Sequence, residues 1–313
     1  MKAFEVIHPG IHTTIQDLGR PGFMKYGTPS SGAADRFSAQ VANWLVGNSA
    51  RAALLEVTLF RLEILAVNDL VIAVTGGDLS PVVNGNAVPM WQAIAIRRGE
   101  RVLFRTRRKG LRAYLAVRGG FSGPVFLGSR SVFVRGLMGI PLQAGDILEI
   151  EEAKEKSIPL KKLFQEMIPP LSIQKPLRII LGPQEDRFTP RGIETFLSSD
   201  YKVTPQSDRM CYRLEGQKIE HLKGADIISE PIARGGIQVP GDGLPIILLW
   251  DAQVSGGYTK IGNVISADLD RLAQVMPGES VCFAAVNLEE AHEALREENA
   301  RLEHIRRAIE GQG

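Results

Sequence analysis

Most of the chain consists of short runs rich in branched and aromatic residues, each closed by Gly, Pro, Asn or Asp. In the first half these runs read FEVIHPG, FRLEILAVND, LVIAVTGGD, VVNGNAV, QAIAIRRGE, RVLFRT and RAYLAVRGG. In the second half they read LRIILGP, YKVT, MCYRLEG, ADIISEP, GGIQVP, IILLWD and SVCFAAV. Strand-length runs with regular turn punctuation predict a sandwich or barrel, so the expected fold class is mainly β. Asn84-Gly85 is the sharpest turn signal, because a two-residue hairpin of this type needs two positive φ angles.

Two segments change to helical spacing. In residues 33–49, Phe37, Val41, Trp44 and Leu45 share one face and Gly47 offers a left-handed stop. Asp35 is expected in the first turn, where the helix dipole favours a carboxylate. In residues 288–313, Leu288, Leu295, Leu302, Ile305 and Ile309 form one stripe on an otherwise charged helix, which is expected to dock on the body of the protein. Residues 151–176 turn to charge and proline. The expected organisation is therefore a β domain at 1–150, a linker at 151–176 with a short helix over 160–167, a second β domain at 177–287 and the C-terminal helix at 288–313. YLAVRGGF in the first half echoes PIARGGIQV in the second, as duplicated domains would.

A length of 313 residues suits two domains rather than one. Lys plus Arg (37) nearly balances Asp plus Glu (35), and a net charge of +2 gives no broad basic face for nucleic acid. The densest basic cluster, Arg105, Arg107, Arg108 and Lys109 before Gly110, reads as a charged hairpin tip. Cys211 and Cys282 lack CxxC spacing, so neither a disulfide framework nor a zinc knuckle is expected. The N-terminal stretch MKAFEVIHPG has no apolar signal core, and LPIILLW is too short to span a bilayer. A cytoplasmic protein without membrane or nucleic-acid partners is expected.

Several mechanisms are removed by missing motifs. The chain has no P-loop, no G-x-G-x-x-G after a strand, no H-E-x-x-H and no G-x-S-x-G. The histidines are scattered, and only His12 lies beside a loop of interest. Met24-Lys25 is followed by Tyr26, not by the second methionine of a biotin-carrying lysine. What remains is a set of glycine-rich loops with embedded Asp, Arg, Ser and Gln: QDLGRPGF, GTPSSGAAD, GSRS, TPQSDRMCYRLEG, SEPIARGGIQVPGDGLP and WDAQVSGGYTKIG. Glycine lets main-chain N–H groups approach a ligand, arginine offers a fork to carboxylate or phosphate, and aspartate accepts from amides. That combination suits a small anionic or amide substrate. Ordinary turn-stabilising ion pairs, such as Asp17 with Arg20, are the structural alternative for each loop.

These segments resemble the allophanate hydrolase subunit 2 family, also called the biotin-dependent carboxyltransferase subunit family, through residues 4 to 288. TTIQDLGRPGF, GTPSSGAAD, ANWLVGN, AALLEVT, AYLAVRGGF, GSRS, SDRMCYRLEG, GGIQVPGDGLPI, DAQVSGGYTKIGNVI and DLDRLAQVMPGE carry the resemblance. It implies two tandem cyclophilin-like β-barrel domains with a site in a cleft between or beside them. It also implies the work of an ATP-dependent 5-oxoprolinase, which opens the lactam of 5-oxo-L-proline to L-glutamate with the help of two partners, a companion B subunit of related fold and a hydrolytic A subunit. ATP with magnesium is the implied cofactor, at no identified position, and Asp17 or Asp35 is expected to handle a proton or a magnesium ion. The carboxyltransferase alternative, acting on urea or another amide, would bring biotin. A non-catalytic regulator that antagonises a sporulation-kinase inhibitor is the third reading.

On the family's motifs, the expected catalytic residues are Asp17, Arg20 and Asp35. The expected substrate-binding residues are Gln16, Gly19, Ser31, Gly32, Ser207, Asp208, Arg209, Gln238, Asp251, Gly256, Gly257 and Tyr258. Two departures bear on specificity. Cys211 stands where the family has glycine, and VFVRGLMGIPL follows GSRS in place of Thr-Asp and a glycine run.

Overall fold

A computed structural model describes residues 1–151, 159–171 and 175–312. It divides into two compact units, one formed by Met1–Arg20, Ser31–Leu171 and Ala300–Gly313, the other by Pro21–Ser30 and Ser172–Asn299. Of the expected linker, residues 152–158 and 172–174 lie outside the described residues. The expected helix at 160–167 is only a 3-10 turn, Gln165–Met167, preceded by an antiparallel bridge from Lys162 to Gln92.

The first unit holds two antiparallel sheets. One has the strand order Ile147–Glu149, Lys2–Pro9, Leu62–Ala66, Arg101–Phe104, Pro81–Val83, Asn86–Ala87, and the other His12–Gln16, Leu54–Thr58, Lys109–Val117, Leu70–Asp78, Ala93–Ile96. Their facing sides share one core, in which Phe4, Ile64 and Phe104 meet Leu55, Ile72, Val74 and Leu115. The intervening Leu54, Ala73, Tyr114 and Ala116 lie on the opposite face, under Phe37, Val41 and Leu45 and beside Ile305 and Ile309. Burial on both faces explains why LVIAV and AYLAV read as unbroken apolar runs, since side chains alternate between faces and both faces are dry.

The helix Arg36–Leu45 starts later than residue 33. Asp35 is its N-cap, with extended φ −101° and ψ 95°, and its carboxylate accepts from Ser38 N at 2.8 Å and Ser38 Oγ at 2.6 Å. The side chain therefore answers orphan donors of the helix end instead of riding in the first turn. The basic cluster also differs from expectation. Arg101–Phe104 and Lys109–Val117 belong to different sheets, so Arg105–Arg108 form a corner between sheets and not a hairpin tip. Asn84 and Gly85 take φ 47° and 84°, as their hairpin requires.

In the second unit eight strands run in the order Ser280–Val281, Tyr201–Val203, Cys211–Glu215, Ile246–Leu248, Gly236–Gln238, Lys260–Val264, Leu177–Leu181, Phe283–Ala285. The two edge strands are separated in sequence by Cys282 alone, so the sheet curls into a nearly closed barrel, which protects its edges. Phe196 of the helix Pro190–Ser198 stacks on Phe283 with ring centroids 4.6 Å apart. A separate ribbon pairs Asp226–Pro231 with Ser255–Tyr258.

The C-terminal helix spans Leu288–Glu310. Its expected stripe is only half right: Ile305 and Ile309 are buried in the first unit, but Leu288 and Leu295 are exposed, and Ala291 and Ala294 supply the buried positions against Ile265 in the second. No helix among the described residues is long and apolar enough to cross a membrane. Replacing the N-cap, Asp35→Ala, is expected to cost about 1–2 kcal/mol. The shift of the urea unfolding midpoint measures it.

Candidate functional site

In the first unit, the residues expected to be catalytic tie loops together. Asp17 Oδ1 accepts from Gly19 N at 2.7 Å and from the hydroxyls of Ser129 and Ser131 at 2.6 Å each, while Oδ2 accepts from Arg130 N at 2.8 Å. Arg20 is 1 % exposed and donates through Nε to Phe126 O at 3.3 Å and through Nη2 to Ser131 O. Gln16 Nε2 donates to Thr14 Oγ1 at 3.0 Å and to Val132 O at 3.1 Å. The segment 126–132 thus wraps around residues 16–20. In this structure Asp17, with Nε and Nη2 of Arg20, ties residues 126–131 to the loop at 16–20.

The backbone of that loop needs glycine at two places. Gly19 sits at φ 81°, and at Gly32, φ 94°, a Cβ would lie 2.8 Å from Gly19 N. Ala33 N donates to Asp17 O at 2.8 Å, so the two glycines let residues 17–19 and 31–33 touch main chain to main chain. Ser31, at φ 49°, buries its hydroxyl without a partner among the described residues, as does the amide oxygen of Gln16.

Behind this loop lies a network that the sequence reading missed. Glu56 is 1 % exposed, and its Oε2 accepts from Ala34 N at 2.8 Å and from the Tyr114 hydroxyl at 2.9 Å. The Tyr114 oxygen in turn accepts from Asp35 N at 2.7 Å, and Arg112 Nε is 3.6 Å from Glu56 Oε1. Burial, then the adjacent Glu56 charge, holds the Tyr114 hydroxyl well above its ordinary pKa, so it stays protonated. The signal was present in AALLEVT: a glutamate inside an apolar strand must have a buried partner.

In the second unit, the Arg209 fork meets Asp251, with Nε to Oδ2 at 2.8 Å and Nη2 to Oδ1 at 3.4 Å, so these two expected residues are brought together. Asp208 Oδ1 accepts from Met210 N at 2.7 Å and Cys211 N at 3.2 Å, and Ser207 Oγ accepts from Arg213 N at 3.1 Å. These are turn-closing bonds. Cys211 opens a strand without positive φ and packs with Ile232 and Leu248, so the residue that replaces glycine there costs the backbone nothing.

Gly256, Gly257 and Tyr258 lie in the ribbon, and Gln238 packs against Gly256. A Cβ at Gly256 would lie 2.7 Å from Gln238 Nε2, and one at Gly257 would lie 3.0 Å from Ile227 O. These glycines provide room rather than unusual φ. Tyr258 is exposed. Two further residues join the group: Lys260, whose Nζ is 2.6 Å from Glu230 Oε1, and Gln184, whose Nε2 donates to the same oxygen at 2.9 Å. The Lys260 ammonium, then the Gln184 amide, holds the Glu230 carboxyl below the usual range. Among the described residues no three His, Cys, Asp or Glu side chains gather as a metal site would require. Asp17 and Asp35 both direct their oxygens to protein donors.

Residues 26–285 match the carboxyltransferase domain family, subdomains A and B. The chain belongs to this family. As a carboxyltransferase-domain protein it is 35 % identical over 305 residues to the C subunit of 5-oxoprolinase from Escherichia coli, covering 96 % of this chain and 97 % of that one. The corresponding C subunit of Haemophilus influenzae is 34 % identical over 302 residues, covering 95 % and 96 %. The crystal structure of urea amidolyase from Kluyveromyces lactis superposes with a TM-score of 0.90 at 30 % identity, over 97 % of this chain but only 20 % of that enzyme.

Two outcomes are expected from the geometry. Tyr114→Phe strips the acceptor from Asp35 N and a donor from Glu56, and should cost about 1–3 kcal/mol in urea unfolding. Because the Glu230 pKa is depressed on folding, its pair with Lys260 contributes above the unfolded carboxyl pKa of about 4.3 and is lost as pH falls through the folded value. The stability difference between the wild type and Glu230→Gln should therefore shrink as urea midpoints are followed from pH 6 down to pH 3.

Proposed function

We propose that the chain is the C subunit of an ATP-dependent 5-oxoprolinase, which with its companions opens the lactam of 5-oxo-L-proline to L-glutamate. The observation that carries this reading is the alignment with the Escherichia coli protein, which runs through 97 % of that relative at 35 % identity. A lactam resists water because amide resonance stabilises it, so its opening needs activation and a site that holds the ring while its carbonyl oxygen gains charge. ATP supplies that activation when bound to the complex. No residue of this chain is assigned to ATP or magnesium. Its own contribution is substrate positioning by glycine-lined backbone and polar side chains, with Gln238, Gly256, Gly257 and Tyr258 as the residues around the ribbon. Asp17, Arg20 and Asp35 act by fixing the loop that carries Ser31 and Gly32. The two partners, one of related fold and one hydrolytic, and a cytoplasmic location, belong to the same proposal.

The structural likeness to a urea amidolyase favours a second reading, carboxyl transfer from carboxybiotin to an amide. One experiment separates the two. The chain mixed with its partner proteins, ATP and 5-oxo-L-proline should release L-glutamate in amounts that track ATP hydrolysis, with no loss when avidin is added. Release abolished by avidin, or carboxylation of urea in place of lactam opening, favours the transferase. Absence of both activities favours a regulatory binder.

A further inference from the structure

Lys260 is an unusual residue to find at 6 % exposure, because a buried ammonium is costly unless it is paired and hydrogen-bonded. Its charge is answered by Glu230 at 2.6 Å, yet Nζ has no aligned hydrogen bond among the described residues. Directly across the antiparallel ladder from Lys260 stands Gln238, 3 % exposed, whose Nε2 is also without a partner among the described residues. Residues opposite one another on adjacent strands point to the same face, about 5 Å apart at Cβ. The ladder is irregular between Ile237 and Gln238, where Ile261 is skipped, and it leaves two buried donor groups with unmet N–H bonds on partnered positions.

The surroundings are built around that pair. Gln184 donates to Glu230 Oε1 at 2.9 Å and accepts from Lys260 N at 3.2 Å, which fixes the carboxylate against the lysine strand. Gly256, the register partner of Glu230, lets the Gln238 amide pack directly against the ribbon backbone, where a Cβ would lie 2.7 Å from Nε2. Glu230 is itself 39 % exposed, so the group opens toward solvent on its side. Lysine and glutamate together carry no net charge. What the group lacks is an acceptor oxygen, not a counter-ion, and a carboxylate would place a second negative charge beside Glu230.

We propose that Lys260 and Gln238 form a donor pair that receives the carbonyl oxygen of a small amide, with Glu230 as the fixed counter-ion of the lysine. The pair offers an ammonium and an amide N–H to an oxygen that becomes more negative as the amide is activated, and such donors gain strength in a site shielded from water. This inference deepens the function proposed above by naming the residues that take the substrate's carbonyl oxygen.

The test uses the full chain alone, without its partner proteins or ATP, so its outcome is independent of whether the complex opens lactams. Ligand-observed NMR titrations compare 2-pyrrolidinone, a lactam without a carboxylate, with acetate. The wild type should bind 2-pyrrolidinone and not acetate. Lys260→Met and Gln238→Met should each weaken 2-pyrrolidinone binding by about tenfold, the value of one hydrogen bond to such a site. Glu230→Gln should leave the lactam bound and admit acetate, because the site then carries a net positive charge. Circular dichroism and urea midpoints establish folding, and if Lys260→Met fails to fold, Gln238→Met and Glu230→Gln decide the matter. The proposal is overturned if 2-pyrrolidinone does not bind the wild type, as for a site that holds only water, if Gln238→Met binds it as tightly as the wild type, or if Glu230→Gln still excludes acetate.

Discussion

A carboxylate that accepts from four donors gives the glycine-rich opening of this protein its shape. Asp17 gathers Gly19 N, the Ser129 and Ser131 hydroxyls and Arg130 N, so one side chain closes its own turn and anchors a second loop to it. Remove it and the donors of both loops lose their acceptor, a penalty larger than the net worth of any one bond. The loop that carries Ser31 and Gly32 rests on this contact through Ala33 N and Asp17 O. The Glu56–Tyr114 pair supports the same loop from behind, through Ala34 N and Asp35 N. Charged residues that invite a catalytic reading thus also fasten the loop.

The second unit presents the opposite imbalance. Arg209 and Asp251 satisfy one another, whereas Lys260 and Gln238 keep donors in hand at buried positions beside Gly256. Buried polar groups normally find partners, and a place where donors exceed acceptors is where a ligand's oxygen gains most. The ribbon Asp226–Pro231 with Ser255–Tyr258 matters because it brings Glu230 and two glycines to that place.

Relatives with different names match nearly the whole chain, a 5-oxoprolinase component of Escherichia coli in sequence and urea amidolyase of Kluyveromyces lactis in structure. A shared fold therefore does not choose the substrate, and the choice falls to a few side chains and to the room that glycines leave around them. Cys211 fits its strand without strain, so this departure from the family pattern leaves the backbone as it is. The segment after Ser131 differs more, with Leu137 at φ 57° and 88 % exposed.

The sequence by itself determined the elements whose cause is local. Strand-length β-rich runs and turn residues specified the strands, Asn84-Gly85 its hairpin, and Phe37, Val41 and Leu45 the buried face of a helix, because these depend on neighbours within a few positions. It also marked the glycine-rich loops as places of polar concentration. Only the tertiary structure decided what the polar residues do there. Asp17 meets Ser131 across 114 positions and Lys260 faces Gln238 across a ladder, and no local pattern distinguishes a carboxylate that will be saturated by distant donors from one left open. The tail helix shows the same limit: its apolar stripe was legible, but whether leucine or alanine lay against the body depended on the surface it met. Hydrogen-bond satisfaction and burial are properties of the assembled chain, and they separate a fastener from a binding group.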